Sequence, residues 1–533
     1  MKVKLLYLPR YDMDYNTGEF LPFSTYAFIP PVGMPVITGF LKSRNIKVNQ
    51  DDLLVKVYRK DVKLLEVFRE KERVEKFLKE GQEDELEKAG EEILKLTKIK
   101  GYDIIGFSLF EPDNPTTIII AMVIAKLIKE KYEPLIVIGG RIWEYSREEL
   151  LKSGFVDYGI LDNPFTLPGE LGFFKFCEAY EKGKELKQNV PGIQYLVNGK
   201  MVTAPTNVNE KEIVHFTRPS FDDLPLNLYE YEVACTLDGN NYSGKVLALP
   251  YFFTKGCPFR CAFCCNSVLP SWIANSPEKV VEDLEYLKKK YKTRYFFFLN
   301  TTINPTYKYA EKIANAIKDL DIKFSDSANF VPSDKKLWKK LSEAGAARLM
   351  FGLESGSPKI LKFVGKNFNL QQAEKCLKDV WQSNIWAELS LICGFPYERD
   401  TDTRKTIDFL RKNRKFIKSI YPNKFFLDGQ IRRYPSRFGI RIREDAYKPL
   451  QKLKEEWRGG FDEIGGLKWE ERKKLTDKTF DLILEAMKKF GIERGSQLQE
   501  VLFMSSLPEW EDIVKGKCKP QIQPIWKKML EIK

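Results

Sequence analysis

The sequence predicts an α/β protein with three parts: an N-terminal doubly wound parallel sheet, a central partial barrel of six β/α units, and a small helical C-terminal domain. Three observations predict it. Short apolar runs alternate with helical patterns twice along the chain, a polar stretch without that alternation separates the two series, and the residues after 441 show helical spacing alone. Alternation implies parallel strands joined by right-handed crossovers. Six units fall short of the eight that close a barrel. At roughly 150 residues per domain, a chain of 533 residues accommodates these parts, with expected boundaries at 1–190, 191–245 (a connector), 246–440 and 441–533.

The first domain opens with KLLYLP (4–9), a short strand. A loop rich in Pro and Gly follows, then a helix with Met34, Ile37, Phe40 and Leu41 on one face. IKVNQDD (46–52) reads as the second strand. From Lys56 to Lys98 charge is dense and Val67, Val74, Phe77 and Leu78 recur at helical spacing, which reads as inserted helices. DIIGFSLF (103–110), a helix near Thr116 to Glu130, LIVIGG (135–140), a helix through Leu150, and VDYGIL (156–161) complete the series. Ligands of such a sheet bind beyond the carboxyl ends of the strands, here the loops beginning near Pro9, Ser108 and Gly139.

GIQYLVNGKMVTAP reads as a hairpin turning at Asn198-Gly199. A polar, irregular connector then runs through Ser243. The second series comprises 248–254, 294–300, 323–327, 348–352, 388–394 and 424–431. Ser276-Pro277 and Ser357-Pro358 each place a capping hydroxyl before a proline at the first helical position. The aromatic run Tyr295 to Phe298 suits the barrel core. Leu475, Phe480, Leu482, Ile483 and Met487 mark the C-terminal helical part.

Composition narrows the function. With 43% hydrophobic and 30% charged residues the chain is neither disordered nor low in complexity. The net charge of +13 is scattered, without a basic block of the kind that binds nucleic acid. The single histidine, His215, excludes zinc sites with two or three histidines and most catalytic triads. No apolar run is long enough to span a bilayer; the longest, Ile118 to Ile128, is broken by Lys126. Without a recognisable signal peptide, and with cysteines clustered as metal ligands instead of a disulfide framework, the expected location is a reducing cytoplasm.

TKGCPFRCAFCCNS sets Cys257, Cys261 and Cys264 in a C-x3-C-x2-C array after the first barrel strand. Three thiolates on one loop can hold three irons of a [4Fe–4S] cluster and leave the fourth open. Structural zinc would need a fourth protein ligand. Cys265 is expected to point elsewhere, and His215 lies some forty residues upstream.

Cys257-Pro-Phe-Arg-Cys261-Ala-Phe263-Cys264 on such a loop resembles the radical S-adenosylmethionine (SAM) superfamily. The resemblance implies that the open iron chelates SAM and that Phe263 borders the adenine. RLMFGLESGSPKIL (348–361) resembles the fourth-strand segment, which implies Glu354 and Ser355 near the ribose and methionine. The alternative for Glu354 is a favourable charge at the start of the next helix. LICGFPYERDT (391–401) resembles the fifth-strand segment, which implies Ile392 and Gly394 near the adenine, with Glu398 opening the next helix. Asn300 and Thr301 stand where relatives face the SAM amino end, without the acids common there.

A doubly wound domain before such a barrel resembles the cobalamin-dependent, class B methyltransferase subgroup. This implies cobalamin contacts from Pro31 and Gly33, from Ser108 and Thr116 to the nucleotide tail, and from Gly139 and Gly140, which admit close backbone approach. Leu109, Phe110, Glu111 or Asn114 would lie under the cobalt. The D-x-H-x-x-G stretch that supplies a lower histidine elsewhere is absent, so the cobalt would have no histidine ligand. DNPFTLPGE (162–170) stands where relatives carry G-E-G-E.

The implied activity is a radical SAM C-methyltransferase acting on an unactivated carbon through a 5′-deoxyadenosyl radical and methylcobalamin. An alternative is a cobalamin-assisted cyclisation, rearrangement or oxidation without methyl transfer. A remote alternative, a metal-stabilised RNA-binding protein, fits the scattered charge poorly. An external electron donor is implied. The substrate class stays open among a peptide or protein residue, a lipid and a small metabolite. Arg432, Arg433 and Tyr434, at the expected end of the sixth strand, are the candidate substrate contacts; salt bridging to the C-terminal helices is the rival role.

Overall fold

The structure, a computed structural model, describes residues 1–11, 28–110, 116–141, 144–269, 271–443, 460–495 and 498–523. It divides into two compact units. The described residues of the first run from 1 to 229, and those of the second cover 230–443 and 460–523.

The first unit is built on β1 (Lys2–Tyr7), β2 (Lys47–Asp52), β3 (Ile104–Phe110), β4 (Leu135–Arg141), β5 (Tyr158–Ile160), β6 (Ile193–Val197) and β7 (Lys200–Thr203). They form one sheet in the order β2-β1-β3-β4-β5-β6-β7, parallel through β5. The expected hairpin is β6–β7. Its turn has Asn198 and Gly199 both at positive φ, 51° and 74°, and it extends the sheet antiparallel from β5. The strand order reverses between β1 and β3, the switch point at which open α/β sheets bind ligands.

Helix Thr116–Lys131 is buried along its whole length from Thr116 to Ile128. This explains its unbroken apolar run. Lys126 is tolerated there because its ammonium lies 2.6 Å from Glu87 of helix Asp84–Leu94. The charged insert forms helices Leu53–Lys60, Lys71–Glu80 and Asp84–Leu94, with a 3-10 helix Val62–Arg69. Val74 and Phe77 face the core, but Leu78 is 41% exposed, because a helix of one stripe has no room for a third adjacent apolar side chain. In helix Gly33–Lys42, Met34, Phe40 and Leu41 are buried as expected, and Ile37 only half so.

The second unit contains β8 (Tyr231–Leu237), β9 (Asn240–Val246), β10 (Ala248–Tyr251), β11 (Thr254–Gly256), β12 (Trp272–Ala274), β13 (Tyr295–Phe298), β14 (Lys323–Ala328), β15 (Ala346–Glu354), β16 (Trp386–Cys393), β17 (Ser419–Lys424), β18 (Ile440–Ile442), β19 (Phe461–Glu463), β20 (Glu493–Arg494) and β21 (Gln521–Gln523). The main sheet runs β10-β13-β14-β15-β16-β17-β20, parallel throughout.

Two expectations are corrected here. Residues 231–246 are not an irregular connector. They form the β8–β9 hairpin, and alternating burial along YEVACTL together with Asp238-Gly239 at positive φ are its signals. The sixth barrel strand is SIYPNK at 419–424, and the run after it, expected at 424–431, leaves the sheet and ends in the short helix Gly429–Arg433. Proline masked this strand. Gly495 N donates to Ile420 O, so the backbone of Ile420, and by alternation that of Pro422, faces β20. Because β20 pairs only with Ser419 and Ile420, the missing N–H of Pro422 costs no ladder bond.

Phe296 and Phe298 are core residues, and Phe298 stacks on Phe324 at 4.6 Å. Ser276 caps helix Pro277–Tyr291 as expected. Ser357 does not cap with its side chain; its hydroxyl donates to Asp402 Oδ1 at 2.7 Å. The C-terminal part holds helices Trp469–Phe490, Leu498–Met504 and Trp510–Lys515, and its strands β20 and β21 join the main sheet and β8. Among the described residues no helix is long and apolar enough to cross a membrane.

Candidate active site

The cysteine array lies on the loop leaving β11, and the β11–β12 pairing closes that loop at its base. Two other segments grip it. Ala262 N donates to Val364 O at 2.8 Å, and Ile431 N donates to Ala262 O at 3.1 Å. Gly429 has φ +61°, and a Cβ there would stand 2.6–2.8 Å from Cys264 O, Ala262 O and Phe263 C. The helix carrying Gly429 therefore presses directly on the backbone that aims the thiols.

All nine cysteines are free thiols. Burial raises the Cys257 and Cys261 thiols above their ordinary range. The Cys264 thiol is raised by its hydrogen bond with Cys265, with burial adding to it. Cys265 therefore lies against Cys264, not away from it as expected. Facing the array is Lys366, a residue the sequence reading passed over. Its side chain is 7% exposed and its ammonium lies 3.0 Å from Glu354 Oε1. Burial opposes that charge, but Glu354 and the Cys261 and Cys264 sulfurs outweigh it and hold the lysine above its ordinary pKa. A buried cation beside three thiols fits an anionic, thiolate-ligated cluster. Among the described residues, no three His, Cys, Asp or Glu side chains group within reach of one ion.

Glu354 ends β15 at a register shift, with φ +64°, a backbone conformation that costs a non-glycine residue roughly 1–2 kcal/mol. Its other oxygen accepts from Ser390 Oγ at 3.5 Å. The carboxylate faces Lys366. Lys366 also stands 5.4 Å over the Phe263 ring. Phe263 and Ile392 pack against one apolar cluster with Ala262, Phe395 and Ile431, so these two adenine candidates are brought together.

Other candidates have different surroundings. Ser355 is buried, with its hydroxyl accepting from Ser357 N and 3.3 Å from Thr406 Oγ1; it holds the turn. Asn300 Oδ1 accepts from Phe253 N, Thr254 N and Thr254 Oγ1, while its amide donates to Asp326 Oδ2 at 2.7 Å. Its polar groups are engaged within the barrel, where burial pushes Asp326 up to about 8. Thr301 Oγ1 donates to Gly256 O at 2.6 Å, next to Cys257. Gly394, at φ +93°, is needed because a Cβ would lie 2.2 Å from Thr476 Oγ1. The turn after it is built on Glu398, which accepts from Gly394 N at 2.5 Å and Phe395 N at 3.2 Å; burial pushes Glu398 up to about 7. Arg433 and Tyr434 are exposed on the short helix and the residue after it, and Arg432 is half-buried.

In the first unit, Ser108 pairs with Gly139 at the carboxyl ends of β3 and β4. Among the described residues Gly139 has nothing within 4 Å of a would-be Cβ, and neither has Gly33 at the start of its helix; Pro31 is half-buried just before it. Gly140 is different. A Cβ there would meet Leu109 O at 2.1 Å, so its glycine serves the strand pairing. Leu109 is buried, Phe110 lies under the Arg10 guanidinium at 5.1 Å, and Thr116 Oγ1 accepts from Tyr11 N at 3.3 Å. Glu111 and Asn114 lie outside the described residues. His215 falls between Glu212, ion-paired to Lys175, and Arg218, whose carbonyl abuts Gly39. The segment that carries it is thus held at Lys175 on one side and Gly39 on the other.

Residues 251–410 match the radical SAM superfamily. An uncharacterized methyltransferase of Pyrococcus horikoshii is 30% identical over 60% of this chain and 66% of its own length. The anaerobic magnesium-protoporphyrin IX monomethyl ester cyclase of Rubrivivax gelatinosus is 24% identical over 46% of this chain and 43% of its own. Among solved structures, the radical SAM methyltransferase TsrM from Kitasatospora setae, with tryptophan substrate and a SAM analogue bound, superposes with a TM-score of 0.61 at 14% identity. That superposition covers 100% of this chain and 99% of TsrM. The same enzyme with cobalamin and a [4Fe–4S] cluster gives 0.56 over 83% and 77%.

Proposed function

We propose that this chain, which carries a radical SAM domain over residues 251–410, is a cobalamin-dependent radical SAM methyltransferase that methylates an unactivated carbon. The observation that carries the reading is the cysteine loop facing the buried Lys366–Glu354 pair, in a chain whose other unit is a sheet of order 2-1-3-4-5 that reverses between β1 and β3. When bound, the cluster supplies the electron that cleaves SAM, and cobalamin supplies the methyl group.

The chain's own residues hold and orient. Cys257, Cys261 and Cys264 would ligate three irons, and helix Gly429–Arg433 holds their loop in place. Lys366 balances thiolate charge and offers an ammonium to the SAM carboxylate, while Glu354, fixed by its strained backbone, faces the polar end of the same ligand. Phe263 and Ile392 form an apolar wall for the adenine and exclude water from it. In the first unit Gly33, Ser108 and Gly139 border the cobalamin surface. Ser108 would offer a hydroxyl to its tail, and the chain's single histidine, His215, would not ligate the cobalt.

The test is anaerobic reconstitution followed by metal analysis and turnover with trideuteromethyl-SAM. Iron and cobalt in a ratio of about four to one and a product heavier by three mass units support methyl transfer. Similarity to the cyclase favours a second reading, cobalamin-assisted ring formation. Iron and cobalt with an unlabelled product would select it, and iron without cobalt would remove both.

A further inference from the structure

The turn that follows β16, Gly394 to Arg399, is gripped by a segment far along the chain. Glu463, the last residue of β19, has a side chain 0% exposed. Its carboxylate accepts from Tyr397 N at 2.6 Å, from Arg399 Nη2 at 2.6 Å and Nη1 at 3.3 Å, from Leu467 N at 2.9 Å and from Arg472 Nη2. Arg472, in helix Trp469–Phe490 and itself buried, donates from Nη1 to Glu398 O at 3.0 Å. Tyr397 Oη donates to Gly439 O at 2.6 Å, at the start of β18, which pairs with β19. Lys359 Nζ holds the other side, donating to Tyr397 O at 2.7 Å and to Asp402 Oδ2 at 2.8 Å. Successive peptide groups of the turn are thus fixed by contacts from outside it.

Stability alone does not account for this arrangement. Burial opposes the Glu463 charge, but the bonds from Arg399, Leu467 N and Tyr397 N, with Arg472 beside them, outweigh it and pull the carboxyl down to about 2. Apolar packing commonly matches a buried ion network in stability. What the network adds is one geometry, set by directional, charge-assisted bonds. The turn requires that, because Tyr397 has φ +62°, a left-handed conformation that a residue other than glycine keeps only where its surroundings over-determine it. The candidate adenine wall depends on the same turn. Ile392 stands just before it in β16, and Phe395, buried within it, meets the Phe263 ring at 5.4 Å.

We propose that Glu463, with Arg399 and Arg472, is a positioning residue for SAM. It fixes the Gly394–Arg399 turn and thereby Ile392 and, through Phe395, the Phe263 ring, so that a segment beyond the barrel strands sets the affinity for the adenosyl end of the ligand. The inference rests on the radical SAM reading. The three residues act through the turn, not on the ligand itself.

The experiment uses the reconstituted full chain and measures the Kd for SAM by equilibrium dialysis, with iron content, apparent melting temperature and 5′-deoxyadenosine formation beside it. Glu463→Gln should raise the Kd about tenfold or more. Its iron content, and its rate of 5′-deoxyadenosine formation at saturating SAM, should stay within about twofold of the parent, the split that marks lost binding and not lost chemistry. Arg399→Gln changes a part-exposed side chain, leaves Glu463 paired with Arg472, and should raise the Kd by a smaller factor. Glu388→Gln is the reference. It breaks the equally buried Arg348–Glu388 pair near the amino ends of β15 and β16, and should lower the melting temperature as Glu463→Gln does while keeping the parent's SAM affinity. Parent affinity in both Glu463→Gln and Arg399→Gln overturns the proposal, and if Glu463→Gln fails to fold, Arg399→Gln decides alone. An equal loss of affinity in Glu388→Gln overturns it as general loosening, and loss of iron together with affinity in Glu463→Gln overturns it by placing the effect on the cysteine loop. A parent chain that takes up iron but binds no SAM would instead remove the underlying reading, whatever the variants do.

Discussion

Gly429 offers a direct test of how the cluster loop is held. In Gly429→Ala the new methyl group enters a backbone at φ +61° and meets three backbone atoms of the cysteine loop at 2.6–2.8 Å, none of them the end of a flexible side chain. The left-handed conformation alone costs alanine about 1–2 kcal/mol. Overpacking against backbone adds about 1–3 kcal/mol, so the sum is about 2–5 kcal/mol, relieved only by moving the loop. Gly516→Ala provides the reference: it shares the conformation, φ +71°, but its nearest neighbour is Lys418 Nζ at 3.5 Å. The assay compares apparent melting temperature with iron content and the electron paramagnetic resonance signal after identical reconstitution. Gly516→Ala should lose a little stability and keep its iron. Gly429→Ala should lose more stability and most of its cluster signal. Equal melting temperatures with full iron in both variants would refute the idea that this helix aims the thiols.

Three further outcomes follow from the same geometry. Lys366→Met strands the Glu354 carboxylate in a buried site, at a cost of about 3–5 kcal/mol. SAM affinity by equilibrium dialysis should fall at least tenfold, and adding Glu354→Gln should restore stability but not SAM binding. Glu398 has a folded pKa near 7 against an ordinary 4.5. The native state therefore binds more protons between those values, and stability falls as pH rises through that window, by roughly 3 kcal/mol. Glu398→Gln, which keeps an acceptor for Gly394 N, should match the parent at pH 5 and exceed it at pH 8 in apparent melting temperature; equal curves at pH 8 would show the carboxyl ionises normally. Cys265→Ser should retain a full iron complement, whereas Cys264→Ser should not, as iron and sulfide analysis of the two would establish.

Much of the fold was legible because its strands are buried on both faces and read as apolar runs: KLLYLP, DIIGFSLF, LIVIGG and ELSLICG all form strands within a few residues of the expected bounds. The β17 strand was hidden by Pro422, harmless only because β20 stops short of it. Similarly, the β8–β9 hairpin was hidden by its polar face, although the alternation in YEVACTL was there to be seen. The cysteine spacing was readable because ligands on one loop are local in sequence. Lys366 was not, since a lysine twelve residues beyond Glu354 looks like any solvated lysine until the chain turns it inward.

The sequence by itself determined which side chains can carry the chemistry: three thiols at ligand spacing, one histidine, and glycines where strands end. Tertiary structure decided which of them do. It made Gly140 and Gly394 packing residues, engaged Asn300 and Ser355 in hydrogen bonds of their own, and made Gly429 and Lys366 part of the site. The reason is physical. Local spacing fixes what a segment can present, but burial, charge pairing and close backbone approach are set by segments distant in sequence, and only folding brings those together.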